Sequence, residues 1–164
     1  MKTILLFCAL VAVLQASPLI DLKPAAPHPS LHDNADLGDI WSDCSRPGDP
    51  AKIKSVAIHP DPPQKDKPVS VNATITLSEE VTEGKITLVV KYGTFHITVI
   101  NKSYDLCNIA KSAGDSCPLK TGDHNVIMTE SLPGSAPSGS YKGNSEATDQ
   151  NGKELVCINL NFKL

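Results

Sequence analysis

Residues 69–77 read Val-Ser-Val-Asn-Ala-Thr-Ile-Thr-Leu, and apolar and polar side chains alternate through all nine positions. Successive side chains of a β-strand point to opposite faces, so this period of two predicts a strand with one buried and one solvent-exposed face. The glycosylation motif Asn72-Ala73-Thr74 places its asparagine on the exposed face. A second motif, Asn101-Lys102-Ser103, makes Asn101 the other predicted glycosylation site.

Further β-rich segments lie on both sides of this strand. They cover residues 53–59, 85–92, 94–100, 125–132, 141–148 and 154–162, with Pro- and Gly-rich turns between them. A bend is expected at Gly93, and Asn151-Gly152 predicts a hairpin turn. No segment has convincing helical periodicity, and residues 107–117 are interpreted as a polar loop. The pattern predicts an all-β protein, an immunoglobulin-like sandwich of two antiparallel sheets.

The amino-terminal residues have the features of a secretory signal. Lys2 precedes an uncharged apolar run, residues 4–14, that is too short to span a bilayer. We predict a signal peptide over residues 1–16, which removes Cys8 with it. Residues 17–40 are Pro-rich and acidic and are interpreted as a leader or propeptide, so the folded domain is expected over residues 41–164.

The charge of this domain is close to balanced. Without the first forty residues the chain keeps 13 of its 15 basic and 14 of its 18 acidic residues. This composition gives no electrostatic basis for binding nucleic acid.

The domain retains four cysteines, an even number that is typical of an oxidising compartment. They could pair in three ways. Cys107 with Cys117 would close a short loop and leave Cys44 for Cys157. No C-x-x-C pair and no histidine at zinc spacing is present, so disulfides are favoured over a metal site.

Residues suited to catalysis are sparse. The chain has serines but no Gly-x-Ser-x-Gly motif, and His59, His96 and His124 are isolated from one another in sequence. Their ordinary interpretation is as solvated or hydrogen-bonded histidines, and Glu79, Glu80 and Glu83 are typical of a solvated strand exit. We therefore predict no enzymatic activity, no cofactor and no metal.

The apolar faces of the strands are the remaining functional candidate. An ordinary sandwich core explains them, but aromatic residues make up only 4% of the chain. The space between the sheets is therefore either filled by aliphatic side chains or left partly open, and composition does not decide between these.

The order and spacing of several short motifs resemble the ML (lipid-recognition) domain family. Within it the chain is most similar to the fungal-type phosphatidylglycerol/phosphatidylinositol transfer proteins, and it is also similar to the Niemann-Pick type lysosomal cholesterol carrier. The motifs are Asp43-Cys44, the strand from Ile53 to Pro60-Asp61-Pro62-Pro63, Val71-Asn72-Ala73-Thr74, Val90-Lys91-Tyr92-Gly93, Asp105-Leu106-Cys107, Cys117-Pro118-Leu119 with Gly122, Leu132-Pro133, Ser138-Gly139-Ser140-Tyr141 and Asp149 to Cys157.

This resemblance implies one lipid held in an apolar cavity between the sheets, with its polar part at the rim. The ligand would be phosphatidylglycerol, phosphatidylinositol or a sterol. The family pattern also agrees with the pairs Cys44–Cys157 and Cys107–Cys117. The expected lining residues are Val56, Ile58, Val71, Ala73, Ile75, Leu88, Val90, Tyr92, Phe95, Ile97, Val99, Leu132, Tyr141, Ile158 and Leu160.

The same resemblance implies a monomer in a secreted or endolysosomal or vacuolar compartment that contacts membrane surfaces transiently. One departure is residues 141–147, which are poor in large apolar side chains. Small residues there either widen the cavity or mark a weak edge strand.

Two other functions fit the same sequence. One is a lipid-sensing module in immune or host recognition, built on the same fold. The other is a sandwich with a filled core that binds only protein partners.

Overall fold

The computed structural model describes residues 40–164 as eight β-strands and one short helix. The strands are β1 Trp41–Asp43, β2 Ala51–His59, β3 Pro68–Leu77, β4 Gly84–Tyr92, β5 Ile97–Asp105, β6 Gly122–Ser131, β7 Ser140–Asp149 and β8 Glu154–Lys163, and helix α1 is Leu106–Ser112. One sheet has the strand order β1-β8-β7-β4-β5 and the other has the order β2-β3-β6. Every pairing within them is antiparallel, which confirms the predicted two-sheet sandwich.

The alternation that predicted β3 corresponds to its burial. Ala73, Ile75 and Leu77 are buried, and Asn72, which directly precedes them, is exposed. β3 is the central strand of its sheet, so its inward face packs against the five-stranded sheet while its outward face meets solvent.

The predicted signal peptide and nearly all of the predicted leader lie outside the described residues. Ile40, which was assigned to the leader, is buried in the core. Its carbonyl accepts a hydrogen bond of 2.7 Å from the Asn161 N–H. The three-residue strand β1 that follows pairs with β8. Such a short strand has too few positions to show a period of two.

The prediction of a polar loop over residues 107–117 was wrong in its first half, because α1 occupies it. Asp105 begins the helix, since its carboxylate accepts a hydrogen bond of 2.8 Å from the Asn108 N–H. Leu106 and Ala110, one turn apart, are the buried residues. A helix of two turns offers a single buried i, i+4 pair, which is too little for its periodicity to be recognised in sequence.

The bend expected at Gly93 is a tight turn that ends β4. Gly93 and His96 both have left-handed backbone, with φ of 68° and 54°. Because the turn extends through His96, β5 begins three residues later than predicted and continues to Asp105. The second glycosylation motif therefore lies within β5.

The two sheets have facing edges at β5 and β6. These strands are the outer members of different sheets, and α1 packs at one end of the space between them. We call this junction the β5–β6 seam. Each sheet is held internally by its backbone ladder, whereas side chains join the sheets to each other across the seam.

Neighbouring residues of β3 should differ sharply in their tolerance of charge. Ile75→Asp should lower the free energy of unfolding by about 3 kcal/mol or more, because it buries an unpaired carboxylate or forces its protonation. Asn72→Asp should change it by less than about 0.5 kcal/mol. Denaturant titration of the unglycosylated protein measures both, and equal effects would contradict the one-sided burial of β3.

Candidate functional site: an apolar cavity between the sheets

The inner faces of the two sheets do not fill the space between them. They leave a cavity of about 130 Å³. Only Glu130 and Ser145 are polar among the residues of its wall. The apolar members are Ile40, Ile58, Pro63, Val69, Val71, Ala73, Ile75, Ile86, Leu88, Val90, Ile100, Leu106, Val126, Met128, Leu132, Ala147, Leu155, Val156, Ile158, Leu160 and Phe162.

Nine of the residues predicted to line a cavity lie on this wall. They are Ile58, Val71, Ala73, Ile75, Leu88, Val90, Leu132, Ile158 and Leu160. Both sheets contribute to this set. The inward positions of a strand follow from its alternation, which is why the sequence could locate them.

The other six predicted lining residues lie elsewhere. Val56 is buried in the core but is not part of the wall. Tyr92 and Tyr141 belong to an aromatic cluster with Phe162, and of these three only Phe162 lies on the wall. Phe95, Ile97 and Val99 are exposed to solvent.

The aromatic cluster closes one end of the sandwich. Tyr141 is fully buried, and its ring stacks on Phe162 with a centroid distance of 5.3 Å. The Tyr92 ring lies 5.1 Å from the Tyr141 ring. The Tyr141 hydroxyl donates to the Pro137 carbonyl at 2.7 Å, and the Tyr92 hydroxyl donates to the Ser138 carbonyl at 3.2 Å. Both rings were expected to line the cavity, but their hydroxyls bind the loop that follows β6.

The apolar residues at the start of β5 form a solvent-exposed tip. Phe95 is 91% exposed, Ile97 57% and Val99 40%. Their exposure results from the turn that precedes β5, since Phe95 projects from the turn itself and β5 is an edge strand with no neighbour on one side.

Small residues on β7 make room for the cavity. Ser145 and Ala147 lie on the wall, and a Cβ atom at Gly143 would approach the Leu160 side chain to 3.1 Å. β7 lies between β4 and β8 in the middle of its sheet, so it is not a weak edge strand. Of the two explanations for this small-residue stretch, the structure favours the wider cavity.

Several wall residues were not predicted as site residues. Ile40 stood in the predicted leader, Leu106 and Ile100 fell at misplaced boundaries, and Glu130 is an acid at an inward strand position. The strict alternation of β6 could have located Glu130, because Val126 and Met128 precede it on the same face.

Glu130 carries the one carboxylate of the wall and accepts three hydrogen bonds. The Lys102 ammonium donates to Oε1 at 2.7 Å, the Ser131 N–H donates to the same oxygen at 3.1 Å, and the Tyr104 hydroxyl donates to Oε2. Burial by itself raises the pKa of Glu130, but these donors outweigh it and hold the pKa below its ordinary value. Burial and the bond to Glu130 raise the pKa of Tyr104, which keeps its proton. At neutral pH the carboxylate is therefore ionised, and both of its oxygens accept hydrogen bonds.

The cysteines pair as Cys44–Cys157 and Cys107–Cys117. The first bond joins the end of β1 to β8, and the second joins α1 to the segment before β6. Asn72 and Asn101 are both exposed on strands, and their glycosylation stays a prediction.

The described part of the chain offers little for catalysis. His124 bonds to the Asp115 carboxylate and to the Lys120 carbonyl. Burial lowers the pKa of His124, but these two acceptors outweigh it and raise the pKa above its usual value. Within residues 40–164 no cluster of His, Cys, Asp or Glu could hold a metal ion. In the same range no helix is long and apolar enough to cross a membrane.

The fold and its cavity define a β-sandwich that can enclose an apolar ligand. Solved structures share this architecture. A Niemann-Pick type C2 protein from the Japanese carpenter ant superposes with a TM-score of 0.60 at 18% identity, covering 76% of this chain and 98% of that one. Chicken MD-1, solved with lipid IVa, gives 0.52 at 16% identity, covering 75% and 86%.

Sequence comparison identifies the family. The ML domain model matches residues 38–164, and the chain belongs to the ML domain family. A Dictyostelium discoideum protein named for phosphatidylglycerol/phosphatidylinositol transfer is 37% identical over 134 residues, which cover 82% of this chain and 92% of the relative. The phosphatidylglycerol/phosphatidylinositol transfer protein of Aspergillus fumigatus is 35% identical over 126 residues, covering 74% and 71%.

The cavity should bind a small apolar probe even without a natural ligand. An engineered apolar cavity of about 150 Å³ takes up benzene or xenon, and this cavity is of similar size. Xenon should shift the NMR resonances of the Val71, Leu88 and Ile158 methyl groups. Val56, which is buried away from the wall, is the internal control. Equal shifts at Val56 and the wall methyls would contradict a discrete cavity.

Proposed function

We propose that this protein binds one lipid between its two sheets and transfers it between membranes without catalysing a reaction. The observation that carries the proposal is the apolar cavity, whose wall is drawn from both sheets of an ML domain. The names of its relatives favour phosphatidylglycerol or phosphatidylinositol as ligands over a sterol.

Burial of an acyl chain supplies enough free energy for such a carrier. Each buried methylene contributes about 0.8 kcal/mol, so a sixteen-carbon chain has roughly 13 kcal/mol opposing its release into water. A wall with two polar residues provides the dry environment that this requires.

The cavity must widen to hold such a chain. Pockets for drug-sized ligands measure about 300–1,000 Å³, whereas this cavity has about 130 Å³. Widening within a sheet would break backbone hydrogen bonds. Separation of the sheets at the β5–β6 seam instead replaces side-chain contacts with contacts to the lipid. It therefore costs less free energy than widening within a sheet.

Transfer also requires contact with a membrane, and the exposed tip formed by Phe95, Ile97 and Val99 is suited to it. Ile97 pairs with Tyr92 and therefore shares the cavity side of its sheet. Lys91 and Lys142 are direct cross-strand neighbours on the opposite face, at the same end of the sandwich. Like charges in this position repel each other, and the ion pairs found in residues 40–164 involve other side chains. An anionic lipid surface would neutralise the charges of both lysines while Phe95 inserts into the membrane.

The amino terminus and the cysteines support a proposal for the compartment. A signal peptide would direct the chain into the secretory pathway, where both disulfides are stable. We expect a monomer in a secreted or endolysosomal lumen.

Lipid binding is tested by filling the cavity. Ala73→Phe places a ring into the wall and should abolish uptake of a fluorescent phosphatidylglycerol, with little loss of stability because the ring occupies empty space. Ala57→Phe is the matched control, since Ala57 is exposed on β2. Uptake, vesicle-to-vesicle transfer and thermal unfolding are measured together. Wild-type protein that takes up no lipid, and carries none in an organic extract analysed by mass spectrometry, would contradict the proposal.

Membrane contact is tested with vesicles of defined charge. Each lysine near an anionic surface contributes about 1 kcal/mol, so Lys91→Gln with Lys142→Gln should weaken binding to phosphatidylglycerol vesicles roughly 30-fold. Phe95→Ser should weaken binding to these vesicles as well. Lys52→Gln, an exposed lysine on the other sheet, is the control. If neither the double lysine variant nor Phe95→Ser weakens vesicle binding, this surface does not contact the membrane.

A further inference from the structure

The β5–β6 seam is crossed by one polar cluster. Glu130 on β6 accepts hydrogen bonds from Lys102 and Tyr104 on β5. Among residues 40–164 these are the side-chain hydrogen bonds that join the two strands. We call the three residues the seam cluster.

All three side chains lie on the inner faces of the sheets. Lys102 pairs with Leu88 and Tyr104 pairs with Ile86, so both share a face with residues of the cavity wall. Glu130 is itself on the wall and continues the inward row of Val126 and Met128. The cluster therefore lies at the margin of the cavity, where the edges of the two sheets meet.

The position of Lys102 is unusual for a sandwich. Inward positions of β-strands generally carry apolar side chains, and a lysine there is retained only if its ammonium reaches a partner or solvent. The Lys102 side chain is 53% exposed, and the Glu130 side chain is 21% exposed. The Lys102 ammonium thus reaches Glu130 at the solvent side of the seam, and the ion pair holds the two edges together.

Separation of β5 from β6 breaks these bonds. Hydrogen bonds between ionised partners are roughly twice as strong as neutral ones. In the separated state water can reach Glu130 and Lys102, so the cost falls mainly on the opening step.

We propose that the seam cluster is a clasp that holds the cavity closed, and that its release limits the rate of lipid uptake. Glu130 is the central residue of the clasp, since it accepts the hydrogen bonds of both β5 donors, Lys102 and Tyr104. The inference rests on the proposed lipid binding and adds where the lipid passes and which contacts control its rate. The clasp closes again behind the bound chain, so its loss changes uptake and release rates more than affinity.

Tyr104→Phe and Lys102→Met each remove one donor from the clasp. Tyr104→Phe keeps the ring, and Lys102→Met keeps the apolar stem and the glycosylation motif. Lys54→Met is the matched control, because the Lys54 side chain is also 53% exposed and pairs with Asp123 inside the three-stranded sheet.

The measurement is stopped-flow uptake of a short-chain fluorescent phosphatidylglycerol in solution, with release and thermal unfolding measured on the same proteins. Each clasp variant should accelerate uptake and release by about five- to tenfold, with a smaller change in affinity. The control should keep the wild-type rates. Loss of a lysine weakens attraction of an anionic probe, so acceleration in Lys102→Met cannot come from charge alone.

The outcomes separate the clasp from lipid binding itself. If the wild-type protein takes up no probe, both the proposed function and the clasp are wrong. Normal uptake by wild-type protein, with unchanged rates in both clasp variants, overturns the clasp and leaves lipid binding intact. Equal acceleration in Lys54→Met and Lys102→Met also overturns it, since the effect would then not belong to the seam.

Discussion

The packing of two amphipathic sheets with too little side-chain volume between them is the constraint on which this structure depends. Antiparallel ladders fix each sheet, so the spacing between the sheets cannot adjust locally to small residues. Ala73, Ser145 and Ala147 face inward where larger side chains would fill the core. The unfilled space becomes a cavity whose wall is almost wholly apolar, and water gains few hydrogen bonds there.

Stability and function compete at this interface. A cavity removes contacts that a close-packed core would provide, and the loss grows with its volume. At about 24 cal/mol per Å³, a cavity of about 130 Å³ corresponds to a loss of roughly 3 kcal/mol in the unliganded protein. Opening for an acyl chain then depends on the places where the edges of the two sheets meet without a backbone ladder. The seam cluster lies at one such place, which links the fold directly to the control of binding.

The predicted lining residues show which positions sequence patterns can locate and which they cannot. Val71, Ala73 and Ile75 were identified from alternation, because the inward face of a strand is a local property. Phe95 and Tyr141 were expected to line the cavity, yet Phe95 lies exposed in a turn and Tyr141 is buried under a loop. Their positions depend on a left-handed backbone at Gly93 and on where the chain returns after β6.

The sequence by itself determined the β-class, the two-sheet arrangement and the ML family, because period-two burial and motif order are written locally along the chain. It did not determine helix α1, whose two turns carry one buried i, i+4 pair. Only the tertiary structure decided that the core is left open, since cavity volume is the difference between sheet spacing and side-chain size. Only the tertiary structure placed Glu130 against Lys102 and Tyr104, because their contact joins strands of different sheets that no sequence spacing brings together.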